Sequence, residues 1–297
     1  MELKPLDLTY RHHAILELLE PSLAFKFLTT SWVTALTEYN HNTVQQLLYE
    51  LRLNGYVEVP RERYRTTNSN YKDYVYQITE KGKRINEKRG VPALKRAHRS
   101  KSFHHECVTD MCFLAPLRLL GKKHKLLTPY DVLNHPNVPE STKKSVNPFA
   151  IQLKKAVNLD CPPHVLTING RTFCIPGIQT DRGTEPIKSP EARTTLGDHI
   201  DEFFQAMKRR LFETQFGMPD GIVFPIVLVN SRFDHEAKWK LRLESVLNWV
   251  EKNHGKSPNL IFKQVPDIAD LDHFPKPDTE FITTPWRRVG FPDFSFV

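Results

Sequence analysis

Four cysteines in 297 residues are too few for a disulfide framework, and Cys107, Cys112, Cys161 and Cys174 form no Cys-x-x-Cys pair. Reduced, mostly buried thiols are expected. Glycine is scarce too, at 12 residues. No Walker loop, glycine-rich dinucleotide fingerprint or Gly-x-Ser-x-Gly elbow occurs, so the sequence offers no nucleotide cradle of those kinds and no nucleophile elbow. No stretch approaches the roughly 18 uncharged apolar residues of a membrane span, and Met1-Glu2-Leu3-Lys4-Pro5 opens no apolar signal region. A soluble, cytoplasmic chain that makes no use of a membrane is the expectation. Internal repeats and low-complexity segments are also lacking.

What the sequence has is positive charge: a formal +8 and an isoelectric point near 9.2, which suit a polyanionic partner. The stretch from Lys26 to Ile85 gives that charge a context. Val44, Leu47, Leu48 and Leu51 fall at i, i+3, i+4 and i+7, the apolar face of an amphipathic helix over 42–53 that Asn42 can cap. A shorter helix over 30–38 precedes it, and a first one over 6–19 is closed by Pro21. Gly55 stops the second helix of the pair, and two short β-branched and aromatic strands follow, Tyr56-Val57-Glu58-Val59 and Tyr74-Val75-Tyr76-Gln77-Ile78. Helix, turn, helix and hairpin make a winged helix-turn-helix, which docks its second helix in the major groove of double-stranded DNA. On that helix Asn42, Thr43, Gln45, Gln46 and Tyr49 lie off the apolar face, where amide and hydroxyl groups suit base edges. The hairpin tip, residues 60–72, carries Arg61, Arg63, Arg65 and Lys72 for the phosphate backbone. A winged-helix domain is expected over 1–88. Residues 81–101 hold nine cations and one acid, with Gly90 and Pro92 breaking any helix, so 89–102 reads as a basic linker.

A second domain is expected over 103–265. Phe103 to Leu114 has helical periodicity, Lys125 to Thr128 reads as a short strand, and 134–147 reads as a loop. His164 to Ile168, the turn Asn169-Gly170 and Arg171 to Ile175 form the clearest hairpin, because Asn-Gly supplies the positive φ angles of a two-residue turn. Amphipathic helices follow over 196–212 and 233–250, with strands at 222–229 and 259–263. Pro225 points to a bulge or an edge in the first of these strands. The fold class is α/β, α+β overall, with a central mixed sheet in the second domain. Residues 266–297, rich in Pro and Phe, are expected to pack on that domain without regular structure.

This order, with a His pair opening the second domain and a hairpin leading into Asp181-Arg182-Gly183-Thr184-Glu185, resembles the replication-relaxation family of plasmids, phages and integrative elements. The similarity spans residues 10–255, and the Asp-Arg-Gly-Thr-Glu run is its most specific piece. The resemblance implies a restriction-endonuclease-like α/β sandwich in which a Pro-Asp and an acid two places before Asp181 would gather a divalent metal. This chain departs from both: Pro163 is followed by His164, and Gln179 stands where the acid would be. Imidazole and amide are poor substitutes for carboxylates on Mg²⁺. Asp160, Asp181 and Glu185 remain as metal candidates, with Lys188 near them in sequence. The implied function is a double-stranded-DNA-binding protein of a phage or mobile element acting in replication or transcription control, with an inactive nuclease-like domain and no cofactor. A Mg²⁺-dependent nickase guided by the winged helix is the alternative, and a protein-interaction winged helix using Tyr49, Tyr64 and Tyr71 is a further one. A homodimer on two half-sites, or contact with replication or transcription proteins, would be compatible with either DNA-binding reading, though no heptads enforce a dimer. Without the resemblance, Asp181 to Glu185 reads as a capped turn built on Gly183. His104, His105, Glu106, Cys107 and Asp110 could share helix faces as a zinc group, but no second cluster at ligand spacing supports them.

Overall fold

The computed structural model describes residues 6–20, 25–61, 73–91, 103–153, 156–157, 159–181, 186–189, 195–218, 220–230, 236–266 and 274–297. The chain divides into two compact units, Met1–Lys123 with Leu271–Phe281, and His124–Asp270 with Ile282–Val297. Both mix helices and strands, and one sheet is mixed, so the chain is α+β.

The first unit begins with α1 (Tyr10–Leu18), β1 (Leu28–Thr29), α2 (Thr30–Thr37) and α3 (His41–Leu53). Thr29 caps α2 by accepting the Trp32 N–H, and Glu38 ends it in the left-handed region, at φ 61°. The cap of α3 is Asn40, whose side chain accepts the Asn42 N–H at 2.9 Å, so the expected cap at Asn42 is displaced by two residues. This leaves the Asn42 side chain on the first turn, free of a capping duty. β2 (Val57–Glu58) and β3 (Val75–Ile78) follow, and the sheet runs β1-β3-β2 with both pairings antiparallel. Ile15, Leu16, Trp32, Val33, Val44, Leu48, Leu51 and Val75 close the core at 1 % exposure or less. Burying such side chains contributes about 1.5–3 kcal/mol each.

The basic stretch begins in a helix, and residues 92–102 of the expected linker lie outside the described residues. Glu80–Lys88 forms α4, capped by Thr79, and its buried Asn86 donates to the Leu16 carbonyl of α1 at 2.9 Å. Gly82 lets this helix approach the hairpin, since a Cβ there would meet the Tyr56 oxygen at 2.4 Å and Ile78 Cγ1 at 2.6 Å. Next comes one continuous helix: α5 (Phe103–Val108), a π-helical turn (Thr109–Leu114) and α6 (Ala115–Gly121). It belongs to the first unit, with the Phe103 ring edge-on to Phe27 at 5.1 Å.

The second unit contains β4 (Lys125–Leu127), α7 (Pro129–Leu133), α8 (Glu140–Lys143), β5 (Ile151–Gln152), β6 (Ala156–Val157), β7 (His164–Ile168) and β8 (Arg171–Ile175). The short α8 lies within the stretch expected to be loop, 134–147. After these come β9 (Gln179–Asp181), α9 (Leu196–Lys208), α10 (Leu211–Phe216), β10 (Phe224–Asn230), α11 (Glu236–His254), β11 (Ser257–Pro266) and β12 (Arg287–Val289); α12 (Glu280–Thr283), just before β12, begins in the stretch assigned to the first unit. The expected hairpin forms as β7 and β8, with Asn169 at φ 50° and Gly170 at φ 74°. β4 joins it to give the order β4-β7-β8. The larger sheet runs β12-β11-β10-β9, parallel except for β12.

Three expectations fail for physical reasons. β10 is interior and pairs with β11 in unbroken register, so it is neither an edge nor bulged, and Pro225 is tolerated because β9 pairs only from Ile226 onward. Val223 donates to the Cys174 carbonyl, and strand alternation turns Pro225 to the same side, beyond the end of β9. The helix expected to run to residue 212 breaks at Arg210, φ 54°, so that α10 can turn Phe212 and Phe216 into the core. The C-terminal tail supplies β12, and Trp286, Phe294 and Phe296 are buried, the last two edge-on to Phe173. Phe203 stacks on Phe224 at 4.7 Å in the centre of the unit.

Candidate nucleic-acid interface

α3 is held from beneath by Val44, Leu47, Leu48 and Leu51. Its other side is open: Asn42, Gln45, Gln46, Tyr49, Arg52 and Leu53 are exposed, Tyr49 at 63 %. Asn42, Gln45, Tyr49 and Arg52, at i, i+3, i+7 and i+10, form one strip of amides, a phenol and a guanidinium. Arg52 also lies over the Tyr74 ring, 5.9 Å from its centroid. The candidates chosen from sequence omitted Arg52, although helical spacing alone puts it on the strip. Thr43 is half-buried and lines a groove between α1 and α3 with Arg11, His12, Gln46 and Glu50. Gln46 donates to Glu50 Oε1 at 2.9 Å, and His12 Nε2 lies 2.9 Å from Glu50 Oε2. Arg61 is exposed just past β2. Arg63, Arg65 and Lys72, with Tyr64 and Tyr71, lie outside the described residues.

Of the group His104, His105, Glu106, Cys107 and Asp110, the aspartate has a structural use. Asp110, at 0 % exposure in the π-helical turn, accepts the backbone N–H groups of Lys26 at 2.9 Å and Phe27 at 2.8 Å through Oδ2. The extra residue in the π turn aims this carboxylate at the segment entering β1. Burial, with Asp110 and Glu106 beside it, pushes the Cys107 thiol well up, and burial raises Cys112 to about 12. Both thiols are therefore held in the neutral form and are poor nucleophiles. Cys174 is pushed up to about 11, mainly by burial.

In the second unit the described acids each have a partner within the fold. Asp181 ends β9 with its side chain fully buried, and its Oδ2 accepts from Arg242 Nη2 of α11 at 2.6 Å. Asp160 Oδ2 accepts the Thr180 N–H at 2.7 Å. Gln179 is buried opposite Ile226, and His164 Nδ1 donates to the Pro162 carbonyl at 2.9 Å. Lys188 is engaged elsewhere, with Asp198 at 2.5 Å and Asp201 at 2.7 Å on α9. Burial works against both charges, but hydrogen bonds to Asp198 and Asp201 raise Lys188, and those from Lys188 and Thr195 lower Asp198. Glu185 lies outside the described residues. Among the described residues, no group of three His, Cys, Asp or Glu side chains is arranged to hold a metal ion. Likewise, no described helix is long and apolar enough to cross a membrane.

The protein is thus an α+β chain whose first unit offers an exposed amide-bearing helix beside a small antiparallel sheet. Residues 23–115, from just before β1 to the first residue of α6, match the sequence model of the replication-relaxation family. No curated protein and no solved structure matches the chain.

Proposed function

We propose that the first unit is a winged helix that binds double-stranded DNA through α3 and the arginine-bearing segment after β2, in a replication-related process. The observation that carries this is the strip of Asn42, Gln45, Tyr49 and Arg52, exposed on a helix whose opposite face is anchored in the core. Amides and a guanidinium on such a strip suit base edges and phosphates. The match of 23–115 to a family described by replication, and a formal charge of +8, support the same reading. In this proposal the second unit is a nuclease-like fold lacking a working metal centre, since Asp181 is tied to Arg242 and His164 and Gln179 replace acids.

Fluorescence anisotropy of the full chain on a labelled duplex tests it. Affinity should fall by about 10³-fold or more between roughly 50 and 200 mM salt if six or more phosphates are contacted. Arg61→Ala and Arg52→Ala should each reduce the slope of log affinity against log salt by about 1. Gln45→Ala should leave that slope alone and relax sequence preference. Absence of duplex affinity at the lower salt would overturn the proposal and favour a protein partner for Tyr49 and its neighbours.

A further inference from the structure

We propose that Gln46 reads an adenine, and that Glu50 and His12 hold its amide in the orientation this requires; the inference rests on the DNA-binding reading of α3. The backbone N–H of Thr9 can only donate and lies 3.1 Å from His12 Nδ1. Nδ1 is therefore an acceptor and the ring proton sits on Nε2. From there it is donated to Glu50 Oε2 at 2.9 Å. Glu50 Oε1 faces the Gln46 side-chain nitrogen at 2.9 Å. An ionised carboxylate accepts and does not donate, so the amide nitrogen, not the oxygen, must face it. His12 is 2 % exposed on α1, so this relay is anchored in the packed body of the unit.

One N–H of Gln46 is thereby committed to Glu50. Its carbonyl oxygen and its other N–H remain for a ligand on the exposed side of α3. An acceptor beside a donor is what adenine answers in the major groove, where N6–H donates and N7 accepts. Guanine presents two acceptors there and leaves the carbonyl oxygen unanswered; thymine and cytosine each answer only half of the pattern. Gln46 is the reading residue, and Glu50 and His12 are positioning residues.

The test is selection of duplexes from a pool with a randomised centre, using the full chain in wild-type, Gln46→Ala and Glu50→Gln forms. The wild type should enrich a motif with an adenine at one position, and Gln46→Ala should make that position degenerate while the others persist. Gln46 is exposed, so this variant should melt with the wild type. In Glu50→Gln the new carboxamide offers an N–H, to which Gln46 can turn its oxygen, presenting both N–H groups outward. The same position should then shift towards guanine. In the recovered wild-type duplex, 7-deazaadenine at that position removes the N7 acceptor and should weaken binding about 5- to 100-fold. Gln46→Ala should be indifferent to that change. A motif unaltered by Gln46→Ala, a wild-type guanine at that position, or binding without any motif would overturn this inference and leave DNA binding standing. No affinity for any duplex at low salt would overturn both.

Discussion

Asp110→Ala is expected to remove about 3–5 kcal/mol of stability, two hydrogen bonds to a charged acceptor at roughly 1.5–3 kcal/mol each with partial relaxation. The carboxylate is fully buried and gathers the N–H groups of Lys26 and Phe27, which feed directly into β1 and α2. Alanine would leave these donors in a packed interior without their anionic partner. At about 2–4 °C per kcal/mol for a chain of this size, the melting temperature should drop by about 6–20 °C. Thermal melting followed by far-ultraviolet circular dichroism reads this directly. Asp110→Asn keeps a neutral oxygen at the same place and should lose only about half as much. A metal role for the same residue makes the opposite forecast: the wild type would lose stability on chelation, and Asp110→Ala would be insensitive to chelator. The structural role requires a wild-type melt that chelator does not move.

Elements whose cause is local were legible in the sequence. The face of Val44, Leu47, Leu48 and Leu51 and the Asn169-Gly170 turn are written in adjacent residues, and α3 and the hairpin of β7 and β8 form where spacing puts them. Errors of one or two residues at helix starts have a local cause too: Asn40 and Asn42 are both competent caps, and the structure uses the first. What could not be read is whatever depends on distant partners. Asp110 meets its donors across 83 and 84 residues, and Asp181 meets Arg242 across 61. Helical spacing put Asp110 beside histidines and suggested a metal, whereas tertiary packing gave it backbone N–H groups. The tail looked irregular because β12 is only three residues long, and its place is set by pairing with β11 and by burial of Trp286. Pro225 suggested an edge, but local sequence does not say how far a neighbouring strand extends. In the candidate interface, the outward residues of α3 followed from periodicity, while the tie from His12 through Glu50 to Gln46 needed α1 folded against α3.

Asp181→Ala carries the other large expected effect and separates the two readings of the second unit. The side chain has no exposure at the end of β9, where it pairs with Arg242, itself 23 % exposed. Breaking a buried ion pair by removing one partner costs about 3–5 kcal/mol. Because Arg242 can reach water, about 2–4 kcal/mol is expected here, measured as the shift of a urea unfolding midpoint. Asp181→Leu combined with Arg242→Met should regain most of it, since the loss comes from stranding one charge and not from losing an attraction the fold depends on. A metal-ligand role predicts a different pattern. Asp181→Asn, which keeps shape and an acceptor oxygen, would then abolish Mg²⁺-dependent nicking of supercoiled plasmid with little change in unfolding. With a structural role there is no nicking to abolish in the wild type, and the same asparagine moves the urea midpoint while Arg242→Met moves it in the same direction. Nicking by the wild type that vanishes in Asp181→Asn would make the Arg242 contact a resting-state pairing of a catalytic carboxylate, and the nuclease-like unit an active one.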